Sequence, residues 1–151
     1  MLQQQQPKRQ QQLHQRPQKK LQKKLNSDLI SIIIVGFKEP RTIGDCIKAI
    51  AKRSYSGIPA NFELIQVSPD DETLKAGKKA AQALRLGNKF KQIVDPRHGK
   101  PYALKLAFKK AKGSILLLTD GDTKFSKGSV KNLLNPLLTN EKVGGVTGRP
   151  F

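Results

Sequence analysis

The stretch Gly113-Ser-Ile-Leu-Leu-Leu-Thr-Asp-Gly-Asp-Thr123 narrows the possible folds more than any other part of the chain. Ile115 to Leu118 form an apolar run with no polar alternation, the pattern of a strand covered on both faces in a parallel sheet. A central strand is expected there. Directly beyond it stand Asp120 and Asp122, one residue apart, with Gly121 between them leaving room for close backbone approach. Ligands of parallel α/β sheets bind beyond the carboxyl ends of the strands, so the two acids leave the core where a ligand would sit. Carboxylates this close repel one another unless a cation offsets them, and oxygen ligands of this kind suit Mg2+ or Mn2+ carrying phosphate oxygens. The competing reading is an Asp-Gly turn with solvated acids.

The rest of the chain supplies the other elements. Asp28 to Val35 is rich in β-branched residues and nearly all apolar, a first strand inside the sheet, ended by Gly36. Ile43, Cys46, Ile47 and Ile50 recur at helical spacing and predict a helix over Thr42 to Arg53 with one buried face. Phe62 to Val67 reads as a second strand, followed by the polar loop Ser68 to Thr73. A second helix turns Leu74, Ala81 and Leu84 inward and stops at Gly87, and Phe90 to Val94 makes a third strand. The loop Asp95 to Lys100 leads into a third helix, with Leu104, Ala107, Phe108 and Ala111 inward and Lys105, Lys109 and Lys112 outward. After the paired acids, Val130, Leu133, Leu134, Leu137 and Leu138 outline a fourth helix that Pro136 would interrupt or kink, and Val143 to Thr147 begins a further strand. This alternation predicts an α/β domain over residues 28–151: an open, mostly parallel sheet with helices on both faces.

Residues 1–27 differ in kind. They are mostly Gln and Lys, too poor in apolar surface to offset ordering entropy, and are expected to be a disordered basic arm that could make peripheral contact with an anionic membrane. The net charge of +18 over 151 residues favours polyanionic partners. Six Phe, two Tyr and no Trp offer few platforms for base stacking, which disfavours nucleic acid as the partner. The single cysteine, Cys46, excludes an intrachain disulfide, fits a cytoplasmic setting and reads as a core residue. No apolar run approaches a membrane span. Gly99-Lys100 is followed by Pro101, and Val94 stands where a P-loop needs its first glycine, so no P-loop is present.

Several separated segments, in order, resemble the family-2 glycosyltransferases, nucleotide-sugar enzymes of the Rossmann-like GT-A fold. Ser31 to Glu39 resembles the opening strand and Asn-Glu turn, with Lys38 where Asn is usual, and Thr42 to Ile47 the first helix. Phe62 to Asp71 is similar to the strand and acidic loop that bind the base, His98 to Leu104 to the Gly-Lys…Ala-Leu segment, Gly113 to Asp122 to the D-x-D strand, and Val143 to Gly148 to the strand after it. The resemblance implies that Asp122 coordinates Mn2+ or Mg2+ on a donor diphosphate and that Asp120 contacts ribose or phosphate beside it. It further implies that Asp70, or Asp71 in its place, reads the base, and that Lys100 offsets diphosphate charge. Gly36, Phe37 and Glu39 would line the nucleotide pocket, and His98 could touch phosphate. The donor would be a UDP- or GDP-linked sugar; the acceptor, lipid, polysaccharide or protein, stays open. The family's catalytic base and its downstream Gln-x-x-Arg-Trp segment have no counterpart here, so no catalytic base is identified, and the donor-binding half, incomplete at the C-terminus, is what the resemblance implies. A non-catalytic nucleotide-binding module is the rival reading, and a basic nucleic-acid binder the third.

Overall fold

The structure, a computed structural model, describes residues 28–148; the arm expected over residues 1–27 lies outside the described residues. Four strands, β1 (Ile30–Val35), β2 (Phe62–Ser68), β3 (Phe90–Val94) and β4 (Ile115–Asp120), run parallel in the order β3-β2-β1-β4. α1 (Ile43–Ala51) and the short α2 (Arg53–Ser56) join β1 to β2, α3 (Asp71–Ala83) joins β2 to β3, α4 (Lys100–Lys110) joins β3 to β4, and α5 (Ser129–Thr139) follows β4. The chain steps outward from β1 to β3 and then returns to the other side of β1, so the strand order reverses between β1 and β4. Among the described residues no helix is long and apolar enough to cross a membrane.

Strand periodicity divides β1 between two cores. Ile30, Ile32 and Ile34 pack with Ile43, Cys46, Ile47 and Ile50 of α1, the face that helical spacing predicted, while Ile33 packs with Ile65, Val67 and the α4 residues Ala103 and Ala107. α3 approaches β2 closely because Gly77 lies against the Gln66 carboxamide, where a Cβ would overlap it. That amide is satisfied: Gln66 Nε2 donates to the Thr73 carbonyl at 2.8 Å, and Gln92 Nε2 donates to Gln66 Oε1 at 2.8 Å.

The structure corrects the expectations for β4, the third helix, the fourth helix and the last strand. Among the described residues β4 is one of the two edge strands and not a central one, with Leu116 45% and Leu118 50% exposed. A helix about 10 Å across covers roughly two strands spaced about 4.8 Å apart, and α4, the one described helix on its side, lies over β1 and β2. In α4 the inward residues are Ala103, Leu104, Ala107 and Ala111, and Phe108 is 44% exposed. Gly87 does not end α3. Arg85 takes the left-handed position (φ 51°), Leu86 N–H donates to Ala81 O at 3.0 Å and Arg85 N–H to Gln82 O at 2.9 Å, a Schellman stop without glycine. Of the two effects expected of Pro136, interruption does not occur, since α5 continues through it to Thr139. Residues 143–147 form no strand: Gly144 and Gly145 have open space around them and no neighbouring strand to pair with.

At the amino ends of the strands a buried carboxylate fixes the turn into β4. Glu63 Oε1 accepts from Ser31 Oγ at 2.7 Å and from Lys112 N–H at 2.6 Å, and Lys91 Nζ meets Oε2 at 2.6 Å. Burial alone would raise the Glu63 carboxyl, but these bonds outweigh it and hold it below the usual range. Gly113 N–H donates to Ser31 Oγ at 2.8 Å, and a Cβ on Gly113 would lie 2.5 Å from Leu29 O and 2.6 Å from Ser31 N. Those are backbone atoms of the central strand and its entry, so Gly113→Ala is expected to cost about 1–3 kcal/mol. Urea unfolding checks this, with Gly144→Ala, which meets nothing within 4 Å, as the variant whose midpoint stays in place.

Candidate active site

Every residue singled out from the sequence lies at the carboxyl edge of the sheet. Gly36, Phe37 and Glu39 follow β1, Asp70 and Asp71 follow β2, Lys100 opens α4 after β3, and Asp120 ends β4 with Asp122 two residues on. The strand order reverses between β1 and β4, and that reversal opens a crevice between their ends where ligands of such sheets bind.

Close backbone packing shapes this crevice. Gly36 N–H donates to Val67 O at 3.0 Å, and Gly121 N–H donates to Val35 O at 2.9 Å. A Cβ on Gly36 would meet Ile43 Cδ1 at 2.9 Å; one on Gly121 would meet it at 2.7 Å and would also strike Glu39 Oε2. The close approach expected at Gly121 is therefore made by Glu39 of the same chain. Glu39 is fixed from its backbone: its N–H donates to Thr73 Oγ1 at 2.9 Å, and its carbonyl accepts from Ile43 N–H at 3.1 Å at the start of α1.

The electrostatics are lopsided. Glu39 Oε2 is buried with no hydrogen-bond partner. Burial first, and then the Asp122 and Asp120 carboxylates, push the Glu39 carboxyl above its ordinary range, while Lys100 pulls the other way. Lys100 Nζ lies 2.5 Å from Asp120 Oδ1, with both side chains about half exposed, so solvent screens the pair. Cys46 sits beneath: its Sγ donates to the Asp120 carbonyl at 3.5 Å. Burial, with Glu39, Asp122 and Asp120 adding to it, pushes the thiol up to about 12. It is a neutral core group, as expected, and not a nucleophile.

In the loop after β2 the structure gives Asp70 a role that sequence reasoning missed. Its Oδ1 accepts from Thr73 N–H at 2.9 Å, capping α3, and its Oδ2 accepts from Lys38 N–H at 2.9 Å and Ser68 Oγ at 3.1 Å. Asp70 thus clamps the β1 loop to the β2 loop. Asp71, first in α3, is left exposed. Lys38 has a left-handed backbone (φ 56°), a conformation Asn tolerates better than Lys, which accounts for Asn being usual there. Phe37 is exposed with the Lys38 ammonium 5.3 Å from its ring centre.

The loop before α4 is strained, with Arg97 (φ 64°) and Gly99 (φ 90°) both left-handed. His98 packs its ring against Tyr102 at 4.8 Å. Thr73, which holds Glu39, and Asp95, 6% exposed with Oδ1 unpartnered, were not foreseen. The Asp70-to-Thr73 spacing was the available signal for the first; nothing in the sequence distinguishes Asp95 from a loop acid. Among the described residues no three His, Cys, Asp or Glu side chains converge tightly enough to hold a metal ion by themselves.

A family model described as Glycosyl transferase family 2 matches residues 31–151. The chain belongs to glycosyl transferase family 2. Solved structures of similar fold include a mannosyltransferase from Pyrobaculum calidifontis in complex with GDP-Man and Mn2+, at 21% identity and TM-score 0.65 over 76% of this chain and 33% of that one. Another is glucosyl-3-phosphoglycerate synthase from Mycobacterium tuberculosis in complex with Mn2+, UDP and phosphoglyceric acid, at 25% identity and TM-score 0.61 over 83% and 44%. A third is mannosyl-3-phosphoglycerate synthase from Rubrobacter xylanophilus, at 20% identity and TM-score 0.59 over 82% and 38%. This family-2 chain therefore spans well under half the length of these three relatives. No curated protein sequence matches it. Its open parallel sheet is the Rossmann-like GT-A sheet that the motifs implied.

The Asp70 clamp makes a pH prediction. Burial would raise this carboxyl, but the bonds from Lys38, Thr73 and Ser68 outweigh it and hold it at about 2, against 3.8 unperturbed. A depressed folded value stabilises the fold above the unfolded value, and that stability disappears as pH falls through the folded one. Asn caps a helix as well as Asp, but its amide nitrogen cannot accept the bonds from Lys38 N–H and Ser68, so Asp70→Asn is expected to unfold about 1.5–3 kcal/mol more easily at neutral pH. The difference from the unaltered chain should hold down to about pH 4 and shrink toward pH 2, followed by urea titrations across that range.

Proposed function

We propose that the chain binds a nucleotide-diphosphate sugar in the crevice between the ends of β1 and β4 and serves its metal-assisted transfer to an acceptor. The observation that carries this reading is the excess of negative charge at the crevice: Glu39 is buried there with an unpartnered carboxylate oxygen, Asp120 and Asp122 act on it, and Lys100 is the cation that partly offsets them. A protein whose net charge is +18 concentrates carboxylates at the point where a sheet of this topology takes its ligand.

The residues fit a divalent ion of the Mn2+ or Mg2+ kind only in company with a ligand. With no cluster of three protein ligands among the described residues, Asp122 would hold the ion together with diphosphate oxygens, the usual arrangement for Mg2+ at phosphate sites. The bound ion offsets the charge that builds on the leaving diphosphate. Asp120 lies beside ribose or phosphate, and Lys100, on an exposed side chain at the head of α4, offsets diphosphate charge. Asp71, exposed at the end of β2, reads the base in preference to Asp70, whose oxygens are engaged internally. Gly36 and Phe37 form the pocket wall, and Glu39 supports it from below. No residue of this chain is assigned as the base that deprotonates the acceptor. Relatives of the same fold are bound to UDP or GDP-Man with Mn2+, which supports a UDP- or GDP-linked donor here, and a reaction at the cytoplasmic side follows from such a donor and a lone reduced thiol.

Calorimetric titration with UDP and GDP, with and without Mn2+, tests the proposal. Binding should require Mn2+, and Asp122→Asn should weaken it by about 2–5 kcal/mol, more than tenfold in affinity. Tight binding indifferent to both Mn2+ and Asp122 would show instead that the basic surface merely attracts anions.

A further inference from the structure

A carboxylate is ordinarily located by the bonds it accepts, yet Glu39 Oε2 is buried without a partner. Its place is set from the backbone instead. The Glu39 carbonyl accepts from Thr42 N–H at 3.2 Å and from Ile43 N–H at 3.1 Å, bonds that any residue ahead of a helix could make. The Glu39 N–H differs, because a side-chain oxygen of another element receives it: Thr73 Oγ1 on α3, at 2.9 Å.

Thr73 is itself firmly placed. It is fully buried, its N–H donates to Asp70 Oδ1 at 2.9 Å, and its carbonyl accepts from Gln66 Nε2 at 2.8 Å. Its Cγ2 lies 3.2 Å from where Gly36 would carry a Cβ. The hydroxyl is not needed for the cap of α3, which Asp70 supplies. Glu39 Oε2 in turn fills the space that a Cβ on Gly121 would take. Thr73, Glu39 and the Asp120-Gly121-Asp122 turn are therefore successive contacts at one edge of the sheet. We infer that Thr73 is a positioning residue for the crevice: by holding the Glu39 backbone it sets the carboxylate beside Gly121, and so seats the turn that carries Asp122. The inference rests on the nucleotide and ion reading of the crevice, and it gives Thr73 no contact with either ligand.

Two groups on the Thr73 Cβ separate this role from packing. The methyl lies behind Gly36 and the hydroxyl holds Glu39. Thr73→Val keeps the shape and the backbone bonds to Asp70 and Gln66 but removes the acceptor, which leaves the Glu39 N–H without this partner. Thr73→Ser keeps the acceptor and removes the methyl. A packing role makes Ser the damaging change; a positioning role makes it Val.

The test is calorimetric titration of the full chain and its variants with UDP and GDP in the presence of Mn2+. Thr73→Val should weaken nucleotide binding about tenfold, and Thr73→Ser by less than about twofold. Added to Glu39→Ala, Thr73→Val should cause no further loss, because Thr73 acts through the side chain already removed. Binding by Thr73→Val equal to that of the unaltered chain would overturn the inference and leave the nucleotide reading standing. So would a loss in Thr73→Ser as large as in Thr73→Val, or a Thr73→Val effect undiminished in Glu39→Ala. Failure of the unaltered chain to bind either nucleotide would overturn both. Should Thr73→Val not fold, hydrogen exchange of the unaltered chain decides. Mn2+ with the bound nucleotide should slow exchange at the Glu39 N–H about tenfold and leave the Lys89 N–H, which donates to Leu86 O ahead of β3, as it was. No slowing at Glu39, or equal slowing at both, would overturn the inference.

Discussion

The contact between Gly36, Gly121 and the Glu39 carboxylate is the constraint on which the site depends. With no Cβ on Gly36 or Gly121, the tips of Ile43 and Glu39 fill the space between the two turns at the carboxyl ends of β1 and β4. Gly121 N–H then extends the ladder by bonding to Val35 O, and the Asp120-Gly121-Asp122 turn is held against the β1 loop. A side chain at Gly121 would displace the Glu39 carboxylate and the Ile43 tip from the turn, at the point where the strand order reverses and where sheets of this kind take their ligands. The core beneath cooperates: Cys46 and Ile43 of α1 support the turn, so the hydrophobic face of one helix sets the position of two acids.

Holding acids so near one another has an electrostatic cost that the rest of the site is arranged to bear. Glu39 is kept in place from its backbone, by Thr73 and the start of α1, and not through its carboxylate. Thr73 is itself positioned by Asp70, whose bonds to Lys38 and Ser68 join the β1 and β2 loops. Asp70, Thr73 and Glu39 therefore form a chain of side chain and backbone contacts running from β2 to the crevice. This chain needs no ligand to be complete. Asp120 and Asp122 stand outside it, and among the described residues the ion-paired cation beside them is Lys100, in an exposed and screened pair with Asp120.

Much of this was legible in the sequence, for reasons local to particular residues. The isoleucines of β1 and the Ile43, Cys46, Ile47, Ile50 stripe declare a buried strand and a one-sided helix through periodicity alone. The residues that the ordered motifs single out lie together at the carboxyl edge of the sheet. Periodicity does not foresee the exposure of Leu116, Leu118 and Phe108, because an apolar run states what a residue prefers and not whether a helix among the described residues covers it. Arg85 ended α3 where glycine was expected, since tertiary packing can impose a left-handed residue that propensity disfavours. The cap and clamp made by Asp70 are not legible in the sequence, because an acid beyond a strand looks the same whether it faces a substrate, as the motif implies for Asp70 or Asp71, or caps a helix; its three hydrogen bonds reveal them.

The central claim is that the crevice takes a divalent ion and a nucleotide diphosphate together, each completing the site for the other. Electron paramagnetic resonance of Mn2+ measures this directly through the loss of the free-ion signal. The account predicts weak uptake by the chain alone, uptake approaching one ion per chain once UDP or GDP is added beyond what the nucleotide itself holds, and loss of that increment in Asp122→Asn. Mn2+ uptake that the nucleotide does not increase, or an increment that survives Asp122→Asn, would contradict it.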